Sequence, residues 1–373
     1  MKSIFAKYIT AISALLLIAS CQGSSVKIDS MGDTLTVQSQ LLTLVEYDGY
    51  FVADIRNPWT DNEQLLDRYI IAPRGYSGDL PQGIVVSVPL ESSVVYSSVH
   101  GGAIAELKAV DAICGVADKQ YFISPQVAER ITSGRIADVG NSMAVSVEKI
   151  VELSPDAILM SPFQNKESGA ITKLGIPVVQ CVDYMEPTPL GRAEWIKLLG
   201  VLYGRRTEAD SIFAAVSSEY SSLCNYADSL SDTPMVLPEQ PMLSGQWDLP
   251  AGESYMARML HDASVVYPWA DTGGQGSLNL DAASVLDRAA DADYWYIRAF
   301  GPLTLSDLQS TNPLNQHFKA FKDGRDYVCN TSVSPLFDEF PFHPELLLRE
   351  YIKMFHPASL PDYTLRYFSP AQP

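Results

Sequence analysis

The side chains of this chain that could do chemistry are its cysteines, its histidines, an arginine that follows an apolar run, and a spaced series of aromatic residues. Besides Cys21 the cysteines are Cys114, Cys181, Cys224 and Cys329. They form no Cys-x-x-Cys pair and no Cys/His spacing of the kind that builds a zinc site. Cys114 and Cys181 lie in apolar, strand-like runs, where a thiol behaves as a small hydrophobe. The histidines are scattered, and His343 and His356 fall near the terminal helix. No Gly-x-Ser-x-Gly elbow, His-Glu-x-x-His helix, phosphate loop or dinucleotide fingerprint occurs. Gly273-Gly274-Gln275-Gly276-Ser277 is glycine-rich but lacks the phosphate-loop lysine and reads as a flexible loop. What does recur is a set of loop residues after apolar runs: Ser92, Ser93 and Tyr96, then Tyr121 and Phe122, then Met143 beside Asn141. Phe163 and Tyr184 continue it, followed by Trp247, Tyr255 and Trp269, then Arg298, Phe300 and Phe337. Rigid aromatic walls with a few polar handles suit a large flat or rounded ligand that is bound and released unchanged. That chemistry is capture and not turnover.

Such residues need a scaffold that gathers loops on one side. From Ile84 onward, continuous apolar runs alternate with amphipathic ones, the pattern of a parallel sheet covered by helices on both faces. Strands are expected at 84–88, 112–116, 157–160 and 178–181, with helices at about 103–110, 147–153, 167–174 and 190–203. A helix from Thr207, expected as its cap, to about Asp228 would reach about 30 Å, long enough to bridge two lobes. The alternation then restarts, with strands at 235–238, 294–297 and 327–328 and helices at 253–261, 281–289, 312–321 and 343–355. Ligands of such sheets sit beyond the carboxyl ends of the strands, so the loops of both lobes should face one cleft. The leader, 34–83, holds strand-like stretches at 43–47 and 69–72 around Asn57-Pro58-Trp59 and is expected to pack on the first lobe as an elaboration.

The opening residues carry an address. Lys2 and Lys7 precede the apolar run Tyr8–Ile18, which closes on Ala19-Ser20-Cys21. This is a secretory signal too short to span a bilayer. Ile18-Ala19-Ser20-Cys21 resembles the bacterial lipobox, which implies cleavage before Cys21 and a diacylglycerol on its sulfur. Acyl chains contribute about 0.8 kcal/mol per buried methylene and would hold the product on a membrane. The whole chain has 44 acids against 26 bases and a formal charge of −18, which argues against a nucleic-acid surface.

The residues together resemble a family: the periplasmic substrate-binding proteins of ATP-driven (ABC) importers for iron chelates, haem and cobalamin. The resemblance rests on Ser87-Val88-Pro89-Leu90-Glu91-Ser92-Ser93 followed by Ile113-Cys114-Gly115-Val116, on Asp138-Val139-Gly140-Asn141, and on Glu148-Lys149-Ile150-Val151-Glu152-Leu153-Ser154-Pro155-Asp156-Ala157-Ile158. Leu174-Gly175-Ile176-Pro177-Val178-Val179 and Pro344-Glu345-Leu346-Leu347-Leu348 add to it. The stretch Ser244–Tyr255 looks like a version found in gut anaerobes of the Bacteroides type. The resemblance implies an α/β fold of two Rossmann-like lobes with parallel sheets joined by a single long helix, the class III binding-protein fold. The expected division is a signal peptide 1–20, a tether 21–33, an N-terminal extension 34–83, a first lobe 84–205, a connecting helix 206–230 and a second lobe 231–373. It further implies a monomeric, membrane-anchored, periplasmic protein without an intrinsic cofactor, docking on an importer permease through one acid on each lobe, here Glu167 and Asp307. Ligand choice stays open. A trianionic ferric catecholate would call for several cations, since an unpaired buried charge is costly, whereas Arg298 is the one cation placed in the cleft. Cobalamin or a near-neutral ferric siderophore needs fewer. Haem would seek an axial Tyr, His or Met, for which Tyr96, Met143, Tyr184 and His100 stand as candidates. The alternative from another class is a secreted lipoprotein enzyme acting on a small molecule in the same cleft; a lipid-anchored adhesion module would show β-rich repeats.

Overall fold

The computed structural model describes residues 32–60, 64–163, 169–242 and 244–373. Its first element is a sheet that the sequence reading leaves as irregular: β1 (Asp33–Thr34), β2 (Leu42–Tyr47), β3 (Tyr50–Arg56), β4 (Leu65–Pro73) and β5 (Ile84–Val88), in that spatial order. β2, β3 and β4 are antiparallel, and β5 pairs parallel with β4. Leu42, Leu44, Ile55 and Tyr69 turn inward and share one core with Trp195, Ile196 and Leu199 of the first lobe. The extension is therefore fused to that lobe.

This moves the boundary expected at residue 84. Ile84–Val88 closes the extension's sheet, and the first lobe's own sheet begins with the shorter β6 (Ser93–Val95). β6 is followed by α1 (Ser98–Glu106), β7 (Ile113–Val116), α2 (Pro125–Thr132) and β8 (Ala137–Asp138). A hairpin of β9 (Gly140–Asn141) and β10 (Ala144–Val145) leads to α3 (Val147–Leu153), β11 (Ala157–Met160) and β12 (Val178–Gln180). The strands stand in the order β12-β11-β6-β7-β8, all parallel. α3 begins where Ser146 Oγ accepts from Lys149 N and ends at Ser154 in the left-handed region (φ 47°), a capped helix at both ends. The single helix expected at 190–203 is broken at Glu194–Trp195 into α4 (Pro189–Ala193) and α5 (Ile196–Leu202). Near 167–174 the described part is a short 3-10 turn, Ile171–Leu174.

The connecting helix α6 (Arg206–Asp228) buries Phe213, Val216, Tyr220 and Leu223 on one stripe, the amphipathic spacing that predicts it. Its N-cap is Arg205 with no side-chain cap, so Thr207 lies inside the first turn. The second lobe then brings β13 (Val236–Pro238), β14 (Gln246–Pro250), α7 (Tyr255–Asp262), β15 (Ser277–Asp281), α8 (Ala282–Ala289) and β16 (Tyr294–Ala299). α9 (Leu305–Thr311), α10 (Lys319–Asp323), β17 (Asp326–Asn330), α11 (Leu336–Glu339), α12 (Pro344–Phe355) and β18 (Ser369–Pro370) complete it. In place of one helix at 312–321 there is a 3-10 turn, Pro313–His317, followed by α10. The sheet order is β13-β16-β17-β18, parallel except for the last strand. β14 and β15 pair separately as an antiparallel ribbon. This lobe has its own core around Trp295, Tyr296, Tyr351 and Phe355.

Candidate ligand-binding site

Loops that follow the parallel strands of both lobes meet between the lobes, beyond the strands' carboxyl ends where ligands of open α/β sheets bind. Two adjoining cavities lie there, both bordered by Phe337. The smaller, about 480 Å³, is lined from the first lobe by Tyr96, Asp118, Tyr121 and Ser161, and from the second by Phe300, Thr331, Ser334 and Asp338. Tyr121 and Phe300 approach edge to face across it, ring centroids 5.6 Å apart, a geometry that aromatic quadrupoles favour. The larger, about 920 Å³, takes Phe163, Tyr184, Met185 and Arg192 from the first lobe, and Glu239, Tyr255, Met256 and Arg298 from the second.

Both arginines of the larger cavity are already engaged. Arg298 Nε donates to Glu239 Oε1 at 2.8 Å, and its guanidinium lies 5.6 Å from the Phe337 ring centroid. Glu239 meets it from the turn after β13, in the left-handed region at φ 66°. Arg192 Nε donates to Asp183 Oδ2 at 3.0 Å, and its Nη1 donates to the Tyr255 hydroxyl at 2.6 Å, tying the two lobes together at the base of the cleft. Asp183 is fully buried; burial alone would raise its pKa, but His100 and Arg192 outweigh that and hold it below the usual carboxylate range. His100 Nε2 lies 2.9 Å from Asp183 Oδ1, while His100 Nδ1 has no hydrogen-bond partner among the described residues. In the smaller cavity Asp118 accepts from Asn141 Nδ2 and Ser142 N, and burial pushes the Asp338 carboxyl up to about 6. The Tyr184 hydroxyl donates to Pro162 O, and burial raises its pKa to about 12. Among the described residues no group of three His, Cys, Asp or Glu side chains is placed to hold a metal ion, and Cys114, Cys181, Cys224 and Cys329 are free.

Of the expected contacts, the cavities bring together Tyr96, Tyr121, Phe163, Tyr184, Tyr255, Arg298, Phe300 and Phe337. The others lie elsewhere, each for a physical reason. Because β6 and not 84–88 is the lobe's first strand, Ser92 and Ser93 stand at its amino end, away from the cleft. There Ser92 N donates to Asp156, and the buried Ser93 Oγ donates to Ala112 O. Phe122 is buried against Gly101 of α1. Trp247 is fully buried on the β14–β15 ribbon, 5.7 Å from Trp295 and 5.9 Å from Phe318. Trp269 packs on Tyr267 in the same core. Met143 is exposed at the tip of the β9–β10 hairpin, and its neighbour Ser142 lines the cavity in its stead. Asp307 is the N3 residue of α9, its carboxylate accepting from Thr304 N and Oγ1 in a capping box. Glu167 and Cys21 lie outside the described residues.

Sequence reasoning missed Trp59, Arg192 and Glu239. Glu239 follows a strand directly and meets the same criterion that selected Arg298. Trp59 sits in an Asn-Pro turn that reads as a connector, and Arg192 inside a helix carries no distinguishing signal.

Residues 94–332 match the family described as "Periplasmic binding protein". The chain belongs to the periplasmic binding protein family. A curated relative, an uncharacterized lipoprotein of Methanocaldococcus jannaschii, is 28% identical over 256 residues, which are 65% of this chain and 60% of that one. The chain thus spans less than two thirds of that relative's length. Solved binding proteins share the fold. A periplasmic haem-binding protein of Pseudomonas aeruginosa superposes with a TM-score of 0.60 at 15% identity, over 76% of this chain and 99% of that one. A triscatecholate siderophore binding protein of Bacillus subtilis, solved with ferri-bacillibactin, does so with a TM-score of 0.57 at 18% identity, over 75% and 97%. The two-lobed α/β architecture joined by one long helix is that of the class III periplasmic binding proteins. No described helix is long and apolar enough to cross a membrane.

Proposed function

We propose that this binding protein is a lipid-anchored capture protein that holds a near-neutral metal chelate, cobalamin or a ferric siderophore ahead of haem, in the inter-lobe cleft and delivers it to an ABC importer. The observation that carries the choice of ligand is the state of the cleft's cations: Arg298 is spent on Glu239, and Arg192 on Asp183. Asp118 and Asp338 add negative charge to the smaller cavity. A trianionic catecholate would enter a cleft with no uncommitted cation among its described lining residues, and would bear its desolvation uncompensated. An uncharged corrin or hydroxamate complex meets aromatic walls instead, at Tyr121, Phe300, Phe163 and Phe337. The anchor in this reading is acylated Cys21, and Glu167 and Asp307 are the acids offered to the permease.

Calorimetric titration of the unlipidated chain with cyanocobalamin, ferrioxamine B, haemin and a trianionic ferric catecholate tests the ligand class. One near-neutral chelate is expected to bind one to one below about 10 μM, with the catecholate at least about 100-fold weaker. If none binds in that range, or the catecholate binds best, the reading fails. Fatty-acid labelling in the native host tests the anchor: label is expected on the wild type and absent from Cys21→Ser, and label retained by the variant refutes it.

A further inference from the structure

We infer that the N-terminal sheet is a third wall of the ligand site, and that Trp59 is a ligand-contacting, specificity-determining residue supplied by the extension; this deepens the capture reading and rests on it. Trp59 lines the larger cavity together with Tyr184 and Met185 of the first lobe and Glu239 and Arg298 of the second. It is the exception among the tryptophans. Trp195, Trp247, Trp269 and Trp295 are all buried in the two cores, whereas Trp59 is only partly buried. Trp59 packs one side against the first core and leaves part of its indole on the cavity, apolar surface that a flat organic ligand can cover at little entropic cost.

Its placement is built. Trp59 sits in the turn between β3 and β4, closed at its base by Asn57 N donating to Gln64 O at 2.8 Å. The Asn57 side chain accepts from Trp59 N at 2.9 Å, an Asx turn, and the intervening Pro58 restricts the backbone further. The sheet behind it is locked to the first lobe. The fully buried Glu194 carboxylate accepts from the backbone N–H groups of Val37, Gln38 and Ser39 at 2.7–3.1 Å. Glu186 does the same for Gln40 and Leu41. Trp59 is thereby a fixed part of the cleft and not a feature of a separate module.

The test uses the full mature chain with Trp59→Ala and Trp59→Phe, titrated calorimetrically with whichever of cyanocobalamin, ferrioxamine B or haemin the wild type binds. Trp59→Ala is expected to weaken binding about tenfold, equivalent to about 1.4 kcal/mol. Trp59→Phe is expected to recover most of that and to change the rank order of the chelates. Thermal melts of both variants separate a lost contact from a lost fold. In fluorescence, ligand quenching is expected to be smaller in Trp59→Phe than in the wild type, since the four buried indoles still transfer energy to an absorbing chelate while the contact quenching at Trp59 is lost. Wild-type affinity and unchanged quenching in a variant that melts like the wild type overturn this inference alone. Absence of binding by the wild type overturns the ligand reading and this inference with it.

Discussion

The two lobes solve one problem in two ways. Each has a parallel sheet with an edge strand whose unpaired N–H and C=O groups must be covered, and each covers it with a terminal segment of the chain held by buried glutamates. In the second lobe the C-terminal tail adds β18 antiparallel to β17, and the buried Glu350 of α12 accepts from the backbone of Arg366, Tyr367 and Phe368 at 2.6–3.2 Å. In the first lobe the edge is β12. The Tyr69 hydroxyl of the extension accepts from Gln180 N at 3.0 Å and donates to Val178 O at 2.8 Å. Glu186 and Glu194 gather the amides of residues 37–41. The difference lies in what comes along with the cover. The C-terminal tail brings two residues of strand; the N-terminal segment brings a five-stranded sheet and, on its loop, a tryptophan in the cleft. By the inference above, an edge cover of one lobe doubles as a wall of the ligand cavity.

Removing the clasps tests that comparison most severely. Glu194→Ala leaves three backbone donors and the Lys197 ammonium, 2.9 Å away, without their shared acceptor. Breaking a buried, hydrogen-bonded charge in this way costs about 3–5 kcal/mol. Glu350→Ala leaves three backbone donors and the Tyr363 hydroxyl in the same position, and a loss of similar size is expected from denaturant unfolding. The two should part in binding. Glu194→Ala is expected to weaken chelate affinity, because it frees the wall that carries Trp59, while Glu350→Ala leaves affinity within about twofold. Equal effects of the two on affinity would show that the extension is only an edge cover.

How much of this was legible in the sequence follows from which interactions were local. The strand Ala157–Met160 and the helix Val147–Leu153 stand where their patterns put them, because a continuous apolar run and a capped amphipathic turn are decided within a few residues. The connecting helix starts one residue from its expected place for the same reason. Partner choice is not local. Ile84–Val88 is longer and more apolar than Ser93–Val95, yet it pairs with Tyr69–Pro73 of the extension, and nothing in either run states its neighbour. That one assignment carried Ser92 and Ser93 to the wrong end of the sheet. Aromatic residues posed the complementary difficulty. Trp247 and Trp59 both stand beside polar, turn-rich residues; only the packing of Trp295 and Phe318 makes the first a core residue, and only the cavity makes the second a wall. The paired state of Arg298 depended on Glu239, 59 residues away, which no spacing rule connects.

A smaller effect sharpens the comparison where the two covered lobes touch each other. His343, at the start of α12, places Nε2 2.8 Å from Glu106 Oε2 of α1 and Nδ1 2.9 Å from Glu345 Oε1, so one imidazole bridges the lobes. Burial alone would lower its pKa, but the two carboxylates outweigh that and raise it to about 10. The sign follows from linkage. A histidine whose folded pKa lies above its unfolded value of about 6.5 contributes fully below that value and loses its contribution as pH rises toward about 10. Melting temperature is therefore expected to fall between pH 6.5 and 10 by more in the wild type than in Glu106→Gln, which keeps the shape and removes the inter-lobe charge. Glu106 is partly exposed, so the pair is worth only about 0.5–1 kcal/mol after solvent screening. Unlike the glutamate clasps, this bridge joins surfaces that each lobe could leave in water. Parallel pH profiles for wild type and variant would mean that the His343–Glu106 pair adds no pH-dependent stability and that other inter-lobe contacts, among them Arg192–Tyr255 and Tyr121–Phe300, hold the lobes.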